Sequence, residues 1–147
     1  MSKNLISINN LDYSISKNVK FRLKIKKFEL NKSDSILIYG DSGTGKSTFL
    51  NLVSGALSPK KGKINVLGTE ITNTSSSQKD VIRGDHFGIV FQTFNLLPYL
   101  SVKNNILLGK AYSKKKELKS NNEEVKILMD KLALNYESLI ERKAYEL

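Results

Sequence analysis

The feature that most restricts what this chain can fold into is a change of pattern at Gly40. Before it, Ile36-Leu37-Ile38-Tyr39 is a short apolar run of the kind that forms a buried strand. After it, Gly40-Asp41-Ser42-Gly43-Thr44-Gly45-Lys46-Ser47 has the spacing G-x-x-x-x-G-K-S. Then Phe49, Leu50, Leu52 and Val53 repeat at helical spacing until Gly55 closes the run. Strand, glycine loop and helix in that order are the context in which this spacing makes a phosphate-binding P-loop rather than a chance glycine-rich turn. The glycines let the backbone curl so that successive N–H groups face a β-phosphate, and the positive end of the following helix adds to the field. Lys46 then bridges β- and γ-phosphate oxygens as a point charge, and the Ser47 hydroxyl holds the magnesium that joins them. Thr48 is placed to add a hydroxyl on the α-phosphate side.

Around this centre the chain alternates between strand-like and helix-like segments, which predicts an α/β fold. Leu5 to Leu11 reads as a strand, and Val19, Phe21, Leu23 and Ile25 alternate with polar residues in a second, extended by Phe28-Glu29-Leu30. The start is therefore an antiparallel β layer. Asn31 to Asp34 is a turn into the buried run, Pro59 to Gly62 another turn, and Lys63 to Leu67 a short strand closed by Gly68. Thr72 to Gln78 is polar and reads as a surface loop, too short to separate two cores. Phe87-Gly88-Ile89-Val90-Phe91 predicts a second buried strand that delivers Gln92 at its end. Ser101 is an N-cap for a helix carrying Ile106, Leu107 and Leu108, and Val125, Leu128, Met129 and Leu132 share one face of a later helix.

Composition narrows the setting. At 147 residues with 39% hydrophobic content the chain can bury one ordinary core. It has no cysteine, so disulfides and thiolate metal sites are excluded and a reducing cytosol fits. No segment approaches the roughly 18 apolar residues of a membrane span, so contact with a membrane is expected only through a partner or the surface. The net charge of +10 would suit phosphate-rich partners. The lysines are scattered among many asparagines, however, and only Lys114-Lys115-Lys116 is a tight cluster. No strip of aromatics interleaves with them, so nucleic acid is not an expected partner. His86, the only histidine, reads as structural or exposed.

The P-loop with its flank Gly40 to Leu50, together with Phe87-Gly88-Ile89-Val90-Phe91-Gln92-Thr93-Phe94-Asn95-Leu96-Leu97-Pro98, resembles ATP-binding cassette (ABC) transporter ATPases. It is most similar to their lipoprotein-releasing and macrolide-export group, and the likeness runs from Leu5 to Leu147. The resemblance implies a P-loop NTPase core over residues 1–92, with an N-terminal antiparallel β layer. The Q-loop and the start of a helical subdomain would follow over 92–147. It implies Mg2+ and ATP as cofactors, with Gly40, Asp41, Ser42, Gly43, Thr44, Gly45, Lys46, Ser47 and Thr48 on the phosphates. Gln92 would contact the metal and the attacking water. A neutral amide can donate to one oxygen and accept from a water without adding charge that repels the γ-phosphate. Tyr13 matches the aromatic that stacks on adenine, with core packing as the rival role. Phe94 to Leu100 is either part of the groove for a transmembrane permease subunit or ordinary packing. The implied partners are that permease and a second ATPase subunit, on the cytoplasmic face of the membrane.

Glu141 to Leu147 resembles the run into the family's L-S-G-G-Q signature, ending on its first leucine. The 147 residues contain no apolar strand ending in Asp-Glu; Asp80, Asp85 and Asp130 all lack four apolar residues before them. Ser33-Asp34-Ser35 also departs from the family's usual Gly-Glu. The expectation is a partial cassette that binds Mg-ATP without turning it over. The alternative is a non-catalytic module that pairs with a full-length ATPase. A DNA-repair or kinase-type P-loop protein is disfavoured by the context of Gln92.

Overall fold

The computed structural model describes residues 4–15, 21–108 and 122–147. Val19 and the Lys114–Lys116 cluster lie outside the described residues. The chain divides into two compact units, Met1–Asp80 and Val81–Leu147.

In the first unit, β1 (Asn4–Ser14), β2 (Arg22–Asn31), β3 (Lys61–Val66) and β4 (Thr69–Glu70) form an antiparallel sheet in the order β2-β1-β3-β4. This is the predicted β layer, and its register follows from the apolar alternation: Ile8 pairs with Phe28 on one side and Ile64 on the other, and Tyr13 pairs with Leu23. A bulge interrupts β1 between Asn9 and Asp12, with Asn10 at φ 49°. It shifts the alternation by one residue, so that Ile8, Leu11 and Tyr13 all face inward. Gly62 sits against it, where a Cβ would fall 2.5 Å from the Asn10 oxygen and the Leu11 Cα, so only glycine fits. The β3–β4 hairpin closes through Leu67 (φ 51°) and Gly68 (φ 83°), a two-residue turn with both φ values positive.

Helix α1 (Lys46–Val53) buries Leu52 and Val53, and its Phe49 ring meets Phe28 of β2 edge to face, centroids 5.2 Å apart. The helix ends at Ser54 and Gly55, the latter at φ 73°, as the glycine predicted. Helix α2 (Ser76–His86) begins inside the stretch read as loop: Thr72 to Ser75 are non-helical as expected, but Ser76 to Gln78 form the first turn of the helix. Ser75 and Gln78 form a reciprocal cap: the Gln78 N–H donates to Ser75 Oγ at 3.4 Å and the Ser75 N–H to Gln78 Oε1 at 3.3 Å. An S-x-x-Q cap inside a Ser/Thr-rich stretch is a helix start, and polarity alone hides it.

The two predicted buried strands do not form. Ile36 to Tyr39 and Phe87 to Phe91 are irregular, with Leu37 85%, Tyr39 87% and Val90 100% exposed. The reason is that a strand is defined by its neighbour's hydrogen bonds, and no strand among the described residues pairs with either run. Apolar β-prone sequence is a capacity to be buried, not a guarantee of it.

The second unit holds α3 (Val102–Leu108), α4 (Asn122–Lys131), α5 (Tyr136–Leu139) and a 3₁₀ turn, Ala144–Glu146. Its core is Val125, Met129 and Ile140, with Val102, Ile106, Leu107, Tyr136 and Leu139 packed around it. Val125 and Met129 lie on one face of α4 as predicted, while Leu128 and Leu132 of the same series stay exposed. Ser101 caps α3, accepting from the Asn104 N–H at 3.2 Å. The segment approaching Leu147 lies along Pro98 to Val102, with Val102 N–H donating to Arg142 O, Ala144 N–H to Leu100 O and Tyr145 N–H to Pro98 O.

Candidate functional site

The Gly40–Ser47 loop is built on backbone conformations that side chains resist: φ is 149° at Gly40, 81° at Gly43 and 102° at Gly45. Thr44 closes the loop on itself, its hydroxyl donating to Asp41 O at 2.8 Å and its N–H pointing to the same oxygen at 3.4 Å. Gly45 is the N-cap of α1 and has no side chain to satisfy the first helical N–H groups, and no acidic residue stands in the first turn. The donors and the positive helix end therefore remain available to an anion, which is the condition for phosphate binding.

Lys46 reaches back over this loop, its Nζ donating to Gly40 O at 2.7 Å and to Asp41 O at 2.8 Å. An ammonium carries three hydrogens, so these two bonds hold the lysine in place and leave one donor for a ligand oxygen. The Ser47 hydroxyl is exposed at the second position of α1, and Thr48 is half-buried at the third. A hydroxyl oxygen on a solvent-facing helix start fits magnesium, which takes oxygen ligands and keeps waters and phosphates as the rest of its shell. Among the described residues no group of three His, Asp or Glu side chains could hold a metal independently.

Beside the loop lies a hollow of about 280 Å³, walled by Leu23, Phe28, Phe49, Ile38 and Tyr39 and floored by Thr44, Gly45 and Lys46. Tyr13 is turned into the core by the β1 bulge and is 9% exposed, next to Leu23 of that wall. Beyond Tyr13, Arg22 clamps Asp12 across the hairpin, with Nε 2.7 Å from Oδ1 and a second contact from Nη2 to Oδ2. The Arg22 hydrogen bond holds the Asp12 carboxyl below its usual range, against a smaller opposing effect of desolvation.

Gln92 belongs to the second unit, exposed in an irregular segment that continues through Thr93, whose hydroxyl bonds Asn95 Oδ1 at 3.2 Å. Phe94 (94% exposed) and Tyr99 are open to solvent. The turn that follows Gln92 is organised by a residue the sequence reading passed over. Asn105 accepts from the Leu97 N–H at 2.9 Å and donates to the carbonyls of Leu97, Leu100 and Ser101. The other omission is Phe21, read only as one apolar residue of a strand, whose ring lies against Gly45. No local spacing signals either contact, because each joins residues through the fold.

Comparison with known proteins agrees with this geometry. The family described as ABC transporter matches residues 23–147. The chain is 38% identical over 108 residues to the ABC transporter ATP-binding protein YtrE of Bacillus subtilis (strain 168), covering 69% of this chain and 47% of that protein. It is also 38% identical over 106 residues to the lipoprotein-releasing system ATP-binding protein LolD of Wigglesworthia glossinidia brevipalpis, covering 72% and 40%. Its fold is similar to the dimeric ATP-binding cassette MJ0796 bound to ADP and Pi, with TM-score 0.72 and 26% identity over 97% of this chain and 62% of that one. The chain thus spans about half the length of the curated relatives it matches. With a P-loop at the start of α1, an antiparallel sheet beside it and a match across most of its residues, the chain belongs to the ABC transporter family.

Proposed function

We propose that this chain is the ATP-binding part of an ABC transporter ATPase that powers export or release of a substrate across a membrane. The observation that carries the reading is the loop Gly40–Ser47, held by Lys46 on its own carbonyls and opening at the uncapped start of α1. Its backbone N–H groups and Lys46 bind the β- and γ-phosphates, Thr48 adds a contact on the α-phosphate side, and Ser47 supplies an oxygen to magnesium. Magnesium held there would neutralise charge on the phosphates. Gln92 would offer its amide to a water and to the metal, and the Tyr13 ring would stack on the base. The buried position of Tyr13 means that stacking requires the ring to be uncovered or the base to meet only its edge.

The partners in this reading are a permease subunit and a second ATPase subunit, and the chain works at the cytoplasmic face through the permease. No helix among the described residues is long and apolar enough to cross a membrane. Residues 1–147 include no Asp-Glu strand or signature glycines, so the expected property is binding of Mg-ATP without turnover. Calorimetric titration with Mg-ATP and Mg-AMP, followed by a phosphate-release assay, tests this. Binding that needs the β- and γ-phosphates, without phosphate release, is the expected result. No binding of Mg-ATP, or Lys46-dependent turnover by this chain alone, would overturn it.

A further inference from the structure

Of the three glycines in the phosphate loop, only Gly45 is braced by another element. Gly43 has nothing within 4 Å of where a Cβ would stand, and Gly40 meets only Thr44 of the loop itself. At Gly45 a Cβ would lie 2.8 Å from Phe21 Cζ and 3.1 Å from Cε2, with Leu23 Cδ1 at 3.8 Å. Leu23 stands at the start of β2 and Phe21 is the residue just before that strand begins, so both come to Gly45 from the same end of β2. Gly45 is also the N-cap of α1, and its φ of 102° sets the direction in which the first helical N–H groups point.

We propose that Phe21 is a positioning residue for nucleotide binding: its ring edge wedges Gly45 in the left-handed conformation and so presents the phosphate-facing N–H groups before the ligand arrives. The physical reason is that glycine has wide backbone freedom, which must be given up when a phosphate is bound. A ring packed against one side of Gly45 removes part of that freedom in advance, and interiors packed at van der Waals contact do not yield to small backbone shifts. The inference rests on Gly40–Ser47 being a triphosphate site, and it concerns the phosphates rather than the base.

The test uses the 147-residue chain with two probes, Mg-ATP and Mg-tripolyphosphate, in calorimetric titrations, with a thermal melt of each variant. Phe21→Ala is expected to weaken both probes by the same factor, about tenfold, a coupling typical of residues in direct contact. Phe21→Tyr, which sets a hydroxyl on Cζ, the atom nearest Gly45, should crowd the loop and weaken both probes as well. Gly45→Ala should lose less affinity in the Phe21→Ala background than in the parent, because only the ring clash is relieved there. If Phe21→Ala does not fold, Phe21→Leu serves, since it keeps apolar bulk and lacks Cε2 and Cζ. A loss confined to Mg-ATP would place the ring on the nucleoside and overturn the proposal. Unchanged affinity in a folded ring-less variant, or additive effects with Gly45→Ala, would overturn it too. A parent chain that binds neither probe overturns this inference and the proposed function together, whereas a parent that binds both keeps the two questions separate.

Discussion

Replacing Lys46 with methionine separates the loop contacts this side chain makes from the phosphate contact proposed for it. Its ammonium donates to Gly40 O at 2.7 Å and Asp41 O at 2.8 Å, which leaves a third hydrogen for a phosphate oxygen. Methionine has similar length and no charge, so it removes all three interactions with little change in bulk. Gly40 and Asp41 are exposed, so water replaces the lysine at both carbonyls and the folded state should lose only about 1 kcal/mol or less. The phosphate contact has no such substitute, because a charge-assisted hydrogen bond of this kind contributes about 1.5–3 kcal/mol. At about 1.4 kcal/mol per factor of ten, Lys46→Met should bind Mg-ATP about tenfold to a hundredfold more weakly while its urea midpoint barely moves. Lys46→Arg should also fall short, since a planar guanidinium cannot place three hydrogens on two loop carbonyls and a phosphate as an ammonium does. The measurement is parallel calorimetry and urea denaturation. A variant that binds Mg-ATP as well as the parent would show that the loop is not the triphosphate site. A large loss of stability at unchanged affinity would show that the lysine is only a brace.

Other expectations follow from particular contacts. Asn105→Ala deletes one accepted hydrogen bond and two amide N–H donors shared among three carbonyls in a half-buried turn and should cost about 2–4 kcal/mol in urea melts, with Asn105→Asp keeping only the accepted bond. Asp12 has a folded-state pKa below its unfolded value, so its pair with Arg22 stabilises fully above the usual carboxylate range and is lost as pH falls through the lowered value. Asp12→Asn should therefore lower the urea midpoint near neutral pH and converge with the parent once the pH has fallen below the lowered value. Backbone amides of Ile36–Tyr39 and Ile89–Phe91 should exchange hydrogen without protection in this chain. They should become protected when the portion of a full-length relative that lies beyond the matched region is supplied. Protection in the chain alone would show that these runs already have strand partners. The same exposure predicts a low or poorly cooperative thermal transition, read by circular dichroism, which a sharp transition with a high midpoint would contradict.

Sequence by itself determined the parts of this protein whose physics is local. The spacing from Gly40 to Ser47 required positive φ at its glycines, the alternation from Leu23 to Ile25 required a pleated strand, and Ser101 and Gly55 marked helix ends by their own chemistry. The cap formed by Ser75 and Gln78 was equally local and was obscured only by the polar residues around it. Tertiary structure decided what each element meets. Ile36 to Tyr39 and Phe87 to Phe91 have the composition of buried strands, yet burial needs a neighbour, and the described residues provide none. Tyr13 was legible as an aromatic at a strand end, but the bulge at Asn10, fitted against Gly62, is what turns it into the core. Phe21 meets Gly45, and Asn105 ties Leu97 to Ser101, across distances in sequence that no spacing rule spans. The phosphate loop is therefore written in eight consecutive residues, while the brace proposed to hold it in shape comes from Phe21, just ahead of the second strand, because conformation is chosen by neighbours in sequence and retained by neighbours in space.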